Sequence, residues 1–555
     1  MRRLAFVLIV VAAMAYNGYG ADIYVATTGD NTTGDGTSGN PYRSLQKALD
    51  NATVNPTTIH LGAGTYGVAG GDSDTYWVLD GTNAGVAVTI QPNSTAAVTL
   101  VASATYMCLR VADTMTSGSL TLTNGSGSLA VTSSSGGGAN YPRLVESTGD
   151  GIAITIDCSV GATGSAQQYG VYYYGTTNTT RDLTVTGNAV ITGSIAALNI
   201  LSADTVTVRD GATLINEGVG NGINVANTVN YLDVGNVTIT CSPDVVSNCV
   251  MGDTLTACTW VRLVGGTYTA GRYGIYLPTY VTSVLIDGVT ATNNNATVAA
   301  IVICVGVNNS SNANPLGTVV VRNCTASFAG SAVHHAILIG SGCDGAEVSH
   351  NYASGGDYQM VVKSEYVNVH HNILYGPLSL YLKGAGYCSV WNNTLYATSS
   401  NYAFSWVSDT DDPVGNRVFN NIIVADGASY CLYNDTDPEN MYGILMDRNL
   451  LYATGNGKLA LFRATEYNSI SALKGYWQGI SSFIGTDNDT YSLCTNPLLR
   501  NPAGADFRLE SSSPALNTGY VTPGPGRSTI GAWQPNAVQN VSQRSRYDFQ
   551  DIYGD

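Results

Sequence analysis

The chain has 555 residues, of which 44% are hydrophobic and 11% charged, and its net charge is −16. That charge argues against nucleic acid as a partner, since phosphate binding needs a basic face. It also opposes tight binding of polyanions unless a local basic groove or a bound cation reverses the sign. Gly at 63 and Tyr at 35, against five Lys, make a turn-rich β composition with enough apolar residues for a long core.

Residues 1–20 read as a signal peptide. Arg2 and Arg3 open it, Leu4 to Ala15 is apolar, and Gly18-Tyr19-Gly20 offers small residues for cleavage before Ala21. The apolar stretch is short for a membrane span. No other segment reads as a spanning helix, so a secreted or cell-surface protein is expected. Residues 21–66 form a distinct opening. A strand (Ile23 to Ala26) leads through a Gly/Asp/Thr loop to a short amphipathic helix, capped by Ser44 with Leu45, Ala48 and Leu49 on one face. A second strand, Thr58 to Leu61, follows. A helix at the end of a β-stack shields the first open edge. Residues 94–140 alternate like strands and read as irregular rungs with a polar loop at Ser133 to Asn140.

From Asn188 to Asn449 one phrase recurs. Its clearest copies centre on Asn351, Asn372, Asn393, Asn421 and Asn449. Looser ones centre on Asn188, Asn236 and Asn323, and Gly211, Gly266 and Gly288 take the Asn place in three more. Intervals of 21 to 35 residues on a strand pattern mean that each unit must stack on its neighbours to bury its apolar face. Stacked turns would let each Asn hydrogen-bond to the next as a ladder, so these residues are assigned to structure. Residues 67–535 are expected to be one all-β parallel β-helix with a C-terminal closing segment. Ile470 to Trp477 is a short helix in a loop, and 536–555 is a polar tail. Eleven Cys, among them Cys241 and Cys249 near enough to clip a loop, read mainly as small buried apolar residues.

Tyr24-Val25, Gly29-Asp30, Gly36-Thr37, Pro41-Tyr42, Ser44-Leu45, Ala48, Gly64 and Tyr66 fill a known opening pattern. It resembles that of secreted right-handed parallel β-helix proteins of the pectate-lyase-like class. Asn496 to Gly519 resembles the closing segment of the same class. The resemblance implies the fold; that fold hosts lyases, hydrolases, epimerases, phage spikes and inert binders.

Lys363 and Lys383 lie nine and ten residues before Asn372 and Asn393, each after an alternating apolar strand. They should therefore occupy one turn on neighbouring rungs. Two ammonium groups so placed depress each other's pKa, and a neutral Lys is a usable general base. His334, His335, His350, His370 and His371 make this the most basic stretch of the chain. The acidic turns Asp409, Asp411, Asp412 and Asp435, Asp437, Glu439 follow on the next two rungs, and carboxylates gathered this way suit Ca²⁺. Tyr172 to Tyr174, Tyr273, Tyr276, Tyr280, Tyr375, Tyr381 and Tyr387 offer rings for stacking on sugars.

Residues 357–393 resemble the active-site rungs of the alginate-lyase and chondroitinase-B family. Lys363-Ser364 matches its Lys-Ser, Lys383 stands where that family has Arg, and Gly384-Ala385 replaces its His-Gly. The expectation is β-elimination on a uronate-containing polysaccharide. Lys363 is the base, and Lys383 binds the carboxylate or acts as acid. His371 and Tyr381 contact substrate, and Ca²⁺ sits near Asp409, Asp411, Asp435 and Asp437. The rival expectation is a non-catalytic glycan-binding or spike protein.

Overall fold

The structure is a computed structural model. It describes residues 20–67, 76–102, 108–133, 143–148, 151–161, 168–174, 181–243, 247–277, 281–294, 301–306, 318–328, 335–398, 401–409, 413–427, 429–435, 444–479 and 491–516. The signal-peptide reading of 1–19, nearly all of the polar loop before Asn140, and the tail 536–555 lie outside these residues. Residues 1–241 and 242–555 form two compact units. Each is a right-handed parallel β-helix, in which every coil contributes strands to three stacks.

The first unit opens with strand Ala21–Val25, paired in parallel with Thr57–Leu61. Helix Leu45–Asp50 lies between them in sequence, with the Ser44 hydroxyl accepting from the Lys47 amide and with Leu45, Ala48 and Leu49 buried. The helix also closes an edge. The Val78 amide donates to Gln46 Oε1 (2.8 Å), and Gln46 Nε2 donates to the Val78 carbonyl (3.1 Å). One side-chain amide thus occupies the N–H and C=O of Val78 in strand Trp77–Leu79, which pairs in parallel with Leu109–Val111. Strands Ala196–Val208 and Asn221–Gly235 run through two stacks, their pairing shifting register between Ile200 and Ser202.

In the second unit, strands Tyr273–Leu277, Ile301–Val305, His335–Ile339, Tyr358–Val362, Leu378–Lys383, Tyr402–Val407 and Tyr430–Asn434 pair in succession as the first stack. Side chains alternate across a strand. Ile303, Ile337, Met360, Leu380, Phe404 and Leu432 therefore form one buried inward column. The outward column beside it is Tyr276, Cys304, Leu338, Val361, Tyr381, Ser405 and Tyr433.

Between the second and third stacks the expected ladder is present. The side-chain amides of Asn351, Asn372, Asn393 and Asn421 each donate to the Oδ1 of the next Asn, ending at Asn449, all at 3.0 Å. Each of these Oδ1 atoms also accepts the backbone amide of the previous rung. The ladder starts at Cys324, whose amide donates to Asn351 Oδ1, and ends at the Ser492 hydroxyl. This corrects the register of the looser repeats. Arg322 pairs with Ser349, so Asn323 aligns with His350 and Cys324 takes the ladder position. Gly288, Asn323, His350, His371, Asn392, Asn420 and Arg448 share a left-handed backbone just before the ladder, a conformation that Gly and Asn accept most easily.

The end of the second unit is covered twice. Thr465–Tyr467 pairs antiparallel with Lys458–Phe462, and helix Ile470–Gly479 buries Leu473 and Trp477. Leu493–Cys494 adds the last strand of the third stack, and residues 495–516 then lie along its outside, where Phe507 packs on Tyr352, Tyr375 and Tyr396. Tyr375, expected as an open ring, is therefore covered. In the first unit Tyr173 is likewise buried, its hydroxyl donating to the Ile152 carbonyl (2.9 Å). All eleven cysteines stand as thiols, ten of them buried.

Candidate active site

Lys363 directly follows strand Tyr358–Val362, and Lys383 ends strand Leu378–Lys383. Val361 pairs with Tyr381 and Val362 with Leu382, so continuation of the register sets Lys363 opposite Lys383. Their backbones are then one rung apart, about 4.8 Å. Lys383 Nζ forms an ion pair with Asp409 Oδ2 at 3.1 Å, both groups being one-third exposed. Burial first, and then the charge on Lys383, hold the Lys363 ammonium below its ordinary pKa; Asp409 and Cys304 act in the opposite sense. The two lysines are thus chemically unequal. Lys383 is paired with a carboxylate, whereas Lys363 is half-buried and gives up its proton more readily than an ordinary lysine.

Tyr381 stands beside them on the outward column, its ring stacked on Tyr358 at 5.8 Å. Burial, with Tyr358 and Asp409 adding to it, pushes its phenol up to about 12, so the hydroxyl keeps its proton. One rung beyond Ser405, Tyr433 is stacked on Tyr402 at 3.8 Å and lies close enough to Asp435 to feel its charge. Lys363, Lys383, Tyr381, Asp409 and Asp435 therefore belong to one outward patch. Asp411, Asp412, Asp437, Glu439, Tyr280 and His334 lie outside the described residues. Among the described residues, no three His, Cys, Asp or Glu side chains are grouped to hold a metal ion.

His371 is not brought to this patch. It occupies the next turn of the coil, beyond strand Asn368–His370. There its ring stacks face to face on His350 (4.9 Å, 2° between planes). Nδ1 of His370 and of His371 are 2.9 Å apart, one ring donating and the other accepting. Asn392 Nδ2 meets His371 Nε2 at 3.2 Å. His370 in turn stacks on Trp391, and Trp391 on Phe419. Burial, then the neighbouring imidazoles, bring His370 down to about 3 and His371 to about 4. At neutral pH both are uncharged packing groups.

The sequence reading overlooked Tyr358, Tyr402 and Tyr433 beside the lysines. Alignment of strand positions would have found them, because Tyr433 is equivalent to Val361, Tyr381 and Ser405, while Tyr358 and Tyr402 stand three residues before Val361 and Ser405 on their strands. It also overlooked a polar cluster in the first unit, at Arg110, Arg143, Glu146 and Tyr172.

No protein-family model matches the chain, and a comparison with curated proteins finds no match. Among solved structures the chain is similar to the Azotobacter vinelandii mannuronan C-5 epimerase AlgE6 A-module. Identity is 12%, with 82% of this chain and 94% of that one covered and a TM-score of 0.20. A rhamnogalacturonan lyase is matched at 12% identity, over 77% of this chain and 84% of that one, with a TM-score of 0.24. XylC in complex with xylose is matched at 8% identity, over 80% and 86%, with a TM-score of 0.18. None of these likenesses bears on the side chains of the site.

Proposed function

We propose that this is an exported carbohydrate-active β-helix protein that cleaves a uronate-containing polysaccharide by β-elimination. The observation that carries the reading is the stacked lysine pair, with one ammonium paired to Asp409 and the other disposed to lose its proton. In this reaction neutral Lys363 takes the proton at C5 of a uronate. The electrons of that C–H bond form the C4–C5 double bond, and the C4–O bond breaks. Lys383 faces the substrate carboxylate, whose charge grows as the proton leaves. The Tyr381 hydroxyl returns a proton to the departing oxygen.

Ca²⁺ at the two acidic turns is a separate part of the proposal, and no step passes through it. Asp409 already faces Lys383, and two of the four expected ligands lie outside the described residues. Export is proposed from the first twenty residues, and the N-terminus of the mature protein tests it.

The test is the ultraviolet absorbance of unsaturated uronate after incubation with alginate, pectate or chondroitin-type glycans, with Ca²⁺ or with chelator. Product that falls by about 10² or more in Lys363→Ala supports the reading. The stacked tyrosines Tyr358–Tyr381 and Tyr402–Tyr433 favour a second reading, glycan binding without cleavage. Retained binding with no product on any of these glycans would establish that reading instead.

A further inference from the structure

The outward face of the first stack in the first unit carries a second polar column. Strand pairing aligns Val78, Arg110, Glu146, Tyr172, Asn199 and Asn224, one per coil. Arg143 stands one outward position before Glu146 on the same strand. Glu146 is 3% exposed, which for a carboxylate on the outside of a sheet demands compensation. Arg143 supplies it through a direct ion pair and Arg110 at 3.9 Å. The Arg143 guanidinium also lies 3.8 Å from the centroid of the Tyr172 ring. Beyond Tyr172, Asn221 donates to Asn224 and Asn224 to Asn199.

Two guanidiniums bring ten N–H donors and two positive charges to one carboxylate. The carboxylate cannot satisfy both forks. Each arginine remains about one-third exposed, at 35% and 36%. The result is a local surplus of positive charge on a protein of net charge −16. It adjoins an aromatic ring and planar amides along a column that runs about 19 Å over four rungs.

We propose that this column is a second binding site, taking a carboxylate-bearing oligosaccharide. Its acidic group meets Arg110 and Arg143, a sugar ring meets Tyr172, and hydroxyls meet Asn224, which Asn199 holds from its buried side. Glu146 acts as a positioning residue that holds both guanidiniums in place. The site does not depend on the elimination reading, since a binder without activity would use it equally.

The experiment measures calorimetric binding of oligogalacturonate and oligomannuronate to the full chain carrying Lys363→Ala and Lys383→Ala, which removes the lysine patch. A sulfated glycan and a neutral xylan oligomer serve as further arms. The expected result is residual uronate binding that weakens with salt and falls at least tenfold in Arg110→Gln and in Arg143→Gln. Arg143→Lys should be intermediate, because it keeps the charge and loses the fork. Should the arginine variants fail to fold, Tyr172→Leu and Asn224→Ala serve in their place, with a loss of threefold or more expected.

The proposal is overturned if no uronate binding survives the lysine substitutions. It is equally overturned if folded variants at these positions bind as before, or if xylan or the sulfated glycan binds as tightly as uronate. Failure of the elimination reading would show instead as absent product from the chain with Lys363 intact.

Discussion

Replacing Asn393 with alanine removes one step of the ladder and tests what the repeat contributes to stability. Asn393 is fully buried, and its Oδ1 accepts both the backbone amide and the side-chain amide of Asn372, each at 3.0 Å. Alanine leaves those two N–H groups of a fully buried residue without that acceptor, in a turn with no water access. Asn372 Nδ2 keeps its bond to the Val348 carbonyl, and the Asn393 amide keeps Asn421 Oδ1. The donors left unmade are therefore two, both on Asn372, while the Val369 and Trp391 carbonyls and Asn421 Oδ1 lose the Asn393 side-chain amide. At about 1–3 kcal/mol for each buried donor left unmade, the coil should lose about 2–6 kcal/mol. A solenoid can open locally, so a global melt would average the effect. Hydrogen exchange read by mass spectrometry on peptides spanning Asn368 to Gly376 is the sharper assay. Even the lower bound raises exchange by local opening about 30-fold. If protection in the variant stays within about threefold of the parent, the ladder is an accompaniment of stacking and contributes little to holding it.

Three further expectations follow from the same geometry. If elimination needs neutral Lys363, kcat/KM should rise with pH through the lysine's titration. Asp409→Asn removes a charge that raises Lys363 and should move that limb to lower pH, while Lys383→Met removes a charge that lowers it and should move the limb to higher pH. His370 and His371 are uncharged in the fold, at about 3 and about 4 against an ordinary 6.5. The unfolded chain thus binds more protons between those values, and the stability present above pH 6.5 is lost as pH falls toward 4. His371→Asn, the residue found at the equivalent position one rung on, should flatten that slope in denaturation series across pH. Phe507→Ala empties a site walled by Tyr352, Tyr375 and Tyr396, and should cost about 3–5 kcal/mol in the docking of 495–516. Early proteolytic release of that segment would report it.

The β-helix was legible in the chain because its determinants are local and repeated. Alternating apolar residues set the strands, and a small or Asn residue at fixed phase marks each turn. The Ser44 cap and the buried Leu45, Ala48 and Leu49 were readable for the same reason, as was the stacking of Lys363 on Lys383, since the coils between them carry no insertion. One-residue phase was not legible. Arg322-Asn323-Cys324 fits the ladder phrase equally well in two registers, and pairing with Ser349 across the coil decided between them. Partners from coils of unequal length were also hidden. That Asp409 meets Lys383, that Phe507 covers Tyr375, and that Glu146 lies between Arg110 and Arg143 depend on how many residues each coil and return segment spends between turns. A solenoid's sequence encodes its period through short-range preferences. Which side chains face one another across rungs is set by the accumulated register, and that exists only once the coils are stacked.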